Sequence, residues 1–231
     1  MREKAGAGRY QLKQFKYNSH YWILRFIEAA HRPLRILDVG TADGYLGALL
    51  KERGHYMVGV ETDVVLAGKA KCHYDVFHEA DIEAFDFPSR NEFDVILFAD
   101  VLEHLRHPEK VLRSALPALN PNGQILISVP NVANFVIRLG LLFGRFEYAD
   151  RGILDRTHLR FYTLANLESL IRAASCRLIE VAPTPVPVQL ILPLTDRPVF
   201  SPLHELHFLA VRFWRTLLAY QFVVRVVPER V

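Results

Sequence analysis

The sequence predicts an α/β fold: a doubly wound, mostly parallel sheet with helices on both faces. Three observations carry this reading. Apolar strand-like runs alternate with helical segments from Tyr21 to about Val129, the pattern of a sheet covered on both sides. The run Ile36-Leu37-Asp38-Val39-Gly40-Thr41-Ala42-Asp43-Gly44 reads as a buried strand that makes a glycine turn into a helix, which brings backbone N–H groups against a ligand. Finally, an acidic residue stands at the end of successive strand-like runs: Asp38, Glu61, Asp81 and Asp100.

Taken in order, residues 21–30 read as an opening helix and 34–39 as the first strand. Residues 45–53 form a helix closed by Gly54. A second strand over 56–60 ends at Glu61, followed by a helix over 64–71. Residues 75–79 make a weaker third strand that stops before Asp81. Residues 93–99 are β-rich and apolar and stop at Asp100. A helix over 108–119 carries Pro108 in its first turn. Asn120-Pro121-Asn122-Gly123 reads as a turn, and a fifth strand over 124–129 is halted by Pro130. Beyond it, 132–143 is apolar, 163–174 helical with Thr163 as a natural N-cap, and 176–182 a strand. Prolines break up 183–202 into an irregular excursion. An amphipathic helix over 203–218 and a strand over 220–227 follow. We expect one domain over 1–231: a helical lead-in (1–33), a core (34–131) and further elements (132–231).

Bulk properties narrow the function. The chain has 231 residues, 51% hydrophobic and 23% charged, enough for a sizeable core. A net charge of +3 is too small to argue for nucleic acid, and no basic-aromatic interleaving points to it. Phe208, Trp214, Tyr220 and Phe222 read as core or interface aromatics instead. Cys72 and Cys176, the two cysteines, are far apart and outside metal-ligand spacing, which suits a reducing compartment. Residues 1–14 are polar and basic with no apolar stretch behind them, so no signal peptide is evident. No apolar run reaches the length of a membrane span. The expected location is the cytoplasm, with peripheral contact at the inner face of the membrane as a variant of it.

The glycine turn selects the ligand class. A dinucleotide fingerprint needs Gly-x-Gly-x-x-Gly, whereas Gly40 is followed by Ala42 and Tyr45 at the two positions that need glycine. Asp38 and Asp43 would also set carboxylates beside a pyrophosphate. The four strand-end carboxylates repel phosphate and attract a sulfonium and an ammonium group.

Asp38-x-Gly40-x-x-x-Gly44 resembles the first motif of class I S-adenosylmethionine-dependent methyltransferases. The likeness continues through Phe93 to His104 and through Asn122 to Asn131, and it covers roughly 34–131. It implies a Rossmann-like, seven-stranded mixed sheet whose last strand is antiparallel, with an apolar lid or insertion before that strand. It implies S-adenosyl-L-methionine as cofactor, held by Asp38, Gly40, Thr41, Gly44, Glu61, Thr62, Asp81, Ile82, Asp100 and Val101. Glu61 would accept from the ribose hydroxyls, and Asp81 with Ile82 would hold the adenine. Asp38 and Gly40 would lie beneath the methionine part.

The acceptor is less legible. Asp150 to Thr163, ending Thr157-His158-x-x-x-Tyr162-Thr163, is similar to the acceptor-side loop of ubiquinone-type O-methyltransferases and of polysaccharide-cluster methyltransferases. That likeness makes His158 the preferred base or acceptor-orienting residue, with His104 second. The alternative is that His158 only fastens its loop. Glu103-His104-Leu105-Arg106-His107-Pro108 raises the question of a metal. Pro108 interrupts the helix register and no HExxH pattern exists, so none is expected, and His107 reads as an approach to the next helix.

Arg138, Arg145, Arg151, Arg156 and Arg160 suit an anionic acceptor, or serve as surface and ion-pair residues. The expected acceptor is a small molecule, glycan or lipid-linked intermediate methylated at oxygen. The apolar stretches 132–146 and 183–194 fit a lid, a membrane-touching surface, a homodimer contact or simple packing. Two other functions remain open: a catalytically inactive partner that binds the same cofactor, and an NAD-dependent oxidoreductase, which the missing glycines disfavour.

Overall fold

The computed structural model describes residues 16–89, 91–188 and 193–229. The readings of 1–14 and of 189–192 within the proline-rich stretch lie outside these residues. Strands β1 (Arg35–Val39), β2 (Tyr56–Glu61), β3 (Val76–Glu79), β4 (Phe93–Ala99), β5 (Leu119–Pro130), β6 (Cys176–Thr184) and β7 (Gln221–Pro228) form one seven-stranded sheet. Its order is β3-β2-β1-β4-β5-β7-β6. Strands β1 to β5 pair in parallel. Strand β7 runs antiparallel to both β5 and β6, giving the mixed sheet and antiparallel last strand that the sequence implies.

Strand alternation divides the core between the two faces. Ile36, Val95, Leu97 and Leu126 pack with Ile23 and Ile27 of α1 (Ser19–Glu28) and Leu46 and Leu50 of α2 (Tyr45–Glu52). Leu37, Val39, Ile96, Phe98, Ile125 and Ile127 turn to the other face, against α4 (Pro108–Ala115) and α6 (Leu164–Ala173). Each such side chain, fully withdrawn from water, contributes about 1.5–3 kcal/mol. Asp38 shares its face with Ile36, so a carboxyl is built into the interior. The order reverses between β1 and β4, which opens a crevice at their carboxyl ends.

Several elements depart from the sequence reading. Helix α1 starts earlier, at Ser19, because Asn18 caps it: its side-chain oxygen accepts from Tyr21 N–H at 2.8 Å. Helix α4 ends at Ala115, and a short 3-10 turn over Leu116–Ala118 follows, around Pro117. Residues 120–123 belong to β5, where the register slips from Phe93↔Leu119 to Val95↔Gln124. The predicted turn is a bulge that a continuing strand absorbs. The predicted helix over 203–218 is two helices, α7 (Ser201–Phe213) and α8 (Arg215–Leu218), broken at Trp214. Phe208 and Phe222 are buried, as core aromatics should be, whereas Trp214 is largely exposed.

Helix α5 (Phe135–Leu142), capped by Asn134, has no buried residue. Phe135, Val136, Leu139, Leu141 and Leu142 are all exposed, so simple packing against the sheet does not explain its apolar sequence. Among the described residues, no helix is long and apolar enough to cross a membrane.

Candidate functional site

A cavity of about 1150 Å³ opens at the carboxyl ends of β1, β2 and β4. Its floor is the turn after β1. Gly40 adopts φ +71°, Ala42 +50° and Gly44 +82°, a left-handed backbone that glycine adopts without penalty and alanine does not. Gly40 N–H donates to Val60 O at 2.8 Å and Thr41 N–H to the same oxygen at 3.3 Å. A Cβ on Gly40 would stand 2.6 Å from Val101 Cγ2. Gly44 does not line the cavity; it precedes α2, where a Cβ would meet Ala70 Cα at 2.8 Å.

Glu61 fastens this turn from β2. Its Oε2 accepts from Ala42 N–H at 2.9 Å, and its Oε1 from Thr62 N–H at 2.9 Å and Asp63 N–H at 3.0 Å. A carboxylate offers about four lone-pair sites, of which the main chain takes three, and Glu61 also lines the cavity. Asp38 is buried, and its Oδ2 accepts from the Tyr74 hydroxyl at 2.6 Å. Burial, helped by the charge of Glu61, pushes the Asp38 carboxyl up to about 7, while the Tyr74 hydrogen bond pulls the other way. Asp43 also lines the cavity, and its Oδ1 is buried with no hydrogen-bond partner among the described residues.

The remaining predicted cofactor residues lie along the same rim. Thr62, Asp81, Ile82, Asp100 and Val101 all line the cavity. Asp81 Oδ1 accepts from Glu83 N–H at 2.9 Å, turning the loop after β3. Asp100, at φ +56°, is held by Ser128 Oγ at 2.6 Å and Gln221 Nε2 at 3.0 Å, both donating to its Oδ1. The carboxyl ends of β1, β2 and β4 and the loop after β3 thus bring one row of acids to a single cavity.

His104 lines the opposite end with Thr157, Asp150 and Arg151. His158 lies behind His104, ring centroids 4.9 Å apart and edge to face. Main-chain bonds hold these segments together: Leu159 N–H and Arg160 N–H both donate to Glu103 O, at 2.8 and 3.1 Å. His104 Nδ1 lies 3.2 Å from Thr157 O and His158 Nδ1 3.1 Å from Ile153 O. A carbonyl only accepts, so each Nδ1 carries a hydrogen, and the tautomer that fits this bond has its lone pair on Nε2. Burial and the neighbouring His104 lower the His158 pKa. His107 belongs elsewhere: its N–H donates to Glu83 Oε1 at 2.7 Å.

Of the arginines in this region, Arg138 donates to Ala133 O, Arg156 pairs with Asp150 at 3.0 Å, and Arg160 donates to the carbonyls of Leu105 and Arg106. These are internal roles. Arg151 is the one of the five that lines the cavity.

The family profile described as a methyltransferase domain matches residues 10–181. The chain belongs to this methyltransferase domain family. The ubiquinone biosynthesis O-methyltransferase of Azorhizobium caulinodans is 34% identical over 158 residues, 64% of this chain and 61% of that protein. Its counterpart in Aromatoleum aromaticum is 26% identical over 155 residues, 64% of this chain and 65% of that protein. The chain thus aligns with less than two thirds of the length of either relative. Among solved structures, an S-adenosylmethionine-dependent methyltransferase from Mesorhizobium loti shares the fold at TM-score 0.62 and 17% identity, covering 90% of this chain and 97% of that one. Magnesium protoporphyrin IX methyltransferase from Synechocystis, with bound S-adenosylhomocysteine, follows at 0.61 and 12%, covering 92% and 83%.

Within this methyltransferase domain, the sequence reading missed Tyr74. Its ring occupies space that Cβ atoms on Gly47 and Gly59 would fill, at 2.2 and 2.9 Å, so those glycines are the signal that an aromatic ring lies between α2 and β2. The pairing of His104 with His158 is also invisible along the chain, because two separate loops create it.

Proposed function

We propose that this chain binds S-adenosyl-L-methionine along the carboxyl ends of β1, β2 and β4 and methylates an oxygen of a small-molecule, glycan or lipid-linked acceptor. The observation that carries this reading is the buried, partnerless Asp43 Oδ1 beside Asp38 and Glu61 in one cavity. Acceptor oxygens so placed fit a ligand bearing an ammonium, a sulfonium and hydroxyl donors, and disfavour phosphates. The cofactor supplies a methyl group already activated by its sulfonium.

Each residue then has a defined task. Asp38 and Asp43 meet the ammonium end, and Gly40 with Thr41 carries the methionine part. Gly44 shapes the turn from behind. Glu61 Oε2 and Thr62 meet the ribose, and Asp81 with Ile82 the adenine. Asp100 and Val101 border the transfer position. His104, through Nε2, orients the acceptor hydroxyl and takes its proton, and His158 supports His104 from behind. Arg151 offers a fork to an anionic group on the acceptor.

The exposed apolar side chains of α5, with Arg138 on the same helix and Arg145 just beyond it, support an apolar or lipid-linked acceptor. They equally support contact with a membrane surface or a second copy of the chain. A cytoplasmic protein that touches the inner face of a membrane accords with this surface. Calorimetric titration with S-adenosylhomocysteine, with NAD in parallel, tests the cofactor assignment. Micromolar binding of the former alone is expected; NAD binding instead would overturn it. Binding without turnover across an acceptor screen would favour the inactive-partner alternative.

A further inference from the structure

We propose that the rings of Phe146, Tyr148 and Phe161 form a carbohydrate-binding platform beside the acceptor end of the cavity. Phe146 stands edge to face against both Tyr148 and Phe161, with ring centroids 5.7 Å apart in each pair, and Tyr148 lies 6.2 Å from Phe161. Phe161 in turn meets His158 at 6.2 Å, and His158 meets His104, which lines the cavity. A run of rings thus leads from the surface to the residue assigned above to the acceptor hydroxyl. Tyr148 is 54% and Phe146 37% exposed. One exposed ring is ordinary, but a cluster of them beside a cavity and among polar groups marks a ligand surface.

The platform is held before a ligand arrives. Arg145 N–H donates to Gly140 O at 2.9 Å where the chain leaves α5. Past the rings, Ala149 N–H donates to Leu154 O at 2.9 Å and Arg156 N–H to Ala149 O at 3.0 Å. Buried Asp155 then accepts from the Thr157 N–H and hydroxyl at 2.8 and 2.7 Å. Rings fixed in this way lose little freedom on binding, and tyrosine offers a rigid, amphipathic contact.

The neighbouring groups select the ligand class. Exposed Arg145 and Glu147 flank Phe146 in the chain, Asp150 pairs with Arg156 at 3.0 Å, and Asp150 and Arg151 line the cavity. Carboxylates accept and guanidinium groups donate; a sugar offers hydroxyls that do both, above an apolar C–H face that suits an aromatic ring. An isoprenoid chain would strip water from these charges with nothing in return. The leucines of α5 suit such a chain better, and a lipid-linked sugar would rest its tail there. The bound sugar is then the acceptor. Its hydroxyl oxygen takes the methyl carbon, the carbon–sulfur electron pair returns to sulfur, and the hydroxyl proton passes to His104. That role rests on the methyl-transfer reading; the binding of the sugar does not.

The test uses the full chain in saturation-transfer NMR with neutral and uronic disaccharides, and with geranylgeraniol as an apolar probe, against Tyr148→Ala, Phe146→Ala and Tyr148→Phe. We expect disaccharide binding that weakens about tenfold in each alanine variant and persists in Tyr148→Phe, which keeps the ring. Both positions are exposed, so S-adenosylhomocysteine affinity should stay within about twofold in every variant. Binding of no disaccharide, binding that Tyr148→Ala leaves unchanged, or ring-dependent binding of geranylgeraniol alone would overturn the platform. S-adenosylhomocysteine binding beside any of these results would leave the methyl-transfer reading standing. Ring-dependent disaccharide binding by a chain that does not bind S-adenosylhomocysteine would uphold the platform and remove that reading instead.

Discussion

The Tyr74 hydroxyl donates to Asp38 Oδ2 across 2.6 Å, and this bond places a proton donor beneath the most deeply buried carboxyl of the cavity. Tyr74 belongs to the segment before β3, outside the glycine motif, so the loop after α3 (Val64–Ala70) controls the charge of a residue on β1. Asp38 reports on ligand binding and folding through its protonation.

The first prediction follows from its titration. The Asp38 carboxyl is pushed up to about 7 by burial and by Glu61, above an unfolded value near 3.9. A raised carboxyl stabilises the fold fully below its unfolded pKa, and that stability is lost as pH rises through the folded pKa. The difference corresponds to roughly 4 kcal/mol. Urea unfolding of the ligand-free chain should therefore show stability falling between about pH 4 and about pH 7, and Asp38→Asn should flatten that slope. An ammonium group beside Asp38 reverses the preference, so S-adenosylhomocysteine, through its ammonium end, should bind more tightly as pH rises through this range. Tyr74→Phe should move the midpoint upward.

Glu61→Ala removes both the proposed ribose contact and the acceptor for three backbone N–H groups. Calorimetry should show S-adenosylhomocysteine binding weakened by about 1–3 kcal/mol, together with a lower melting temperature. Unchanged affinity would detach Glu61 from the ribose role.

Gly40→Ala should destabilise the chain by about 2 kcal/mol or more, from its left-handed φ and from the collision with Val101. Gly40→Ala with Val101→Ala should recover part of that loss in denaturant unfolding. Recovery isolates the collision from the backbone cost. The first obstacle to a larger residue at 40 is thus a neighbouring side chain, before any ligand is involved.

His104→Ala should lower kcat by about 10²–10⁴ with S-adenosylhomocysteine affinity unchanged. Steady-state kinetics with an identified acceptor measures the first and calorimetry the second. Full turnover in this variant would remove His104 from proton transfer.

Leu139→Glu with Leu142→Glu should shift stability by no more than about 0.5 kcal/mol, because both side chains are exposed. Co-sedimentation with anionic lipid vesicles and turnover on an apolar acceptor should both fall. If neither changes, α5 serves some other contact.

Much of the fold was legible because β1, β2, β4 and the second half of β5 are largely apolar runs ending at turn or acidic residues, and a buried parallel strand must read that way. The acids followed from the same logic, since a strand's end fixes where its next side chain stands. What escaped was non-local. Tyr74 shows only as space left at Gly47 and Gly59, and His158 reaches His104 through loop-to-loop bonds. The β5 bulge hid because Asn120-Pro121-Asn122-Gly123 has turn chemistry that a strand accommodates by slipping register. The break at Trp214 lies within an unbroken amphipathic pattern, where periodicity gives no warning.

The insertion of β7 between β5 and β6 has a consequence for biosynthesis. As the ribosome delivers the chain, β1 to β5 can assemble in parallel as they emerge, but β6 arrives with no neighbour to pair with. Its hydrogen-bonding edge stays open until β7 is made and slides in on the other side, so completion of the sheet waits for the last strand to leave the exit tunnel. Stalled or truncated chains that lack β7 should expose the edges of β5 and β6 together, and such chains are the ones that chaperones must catch.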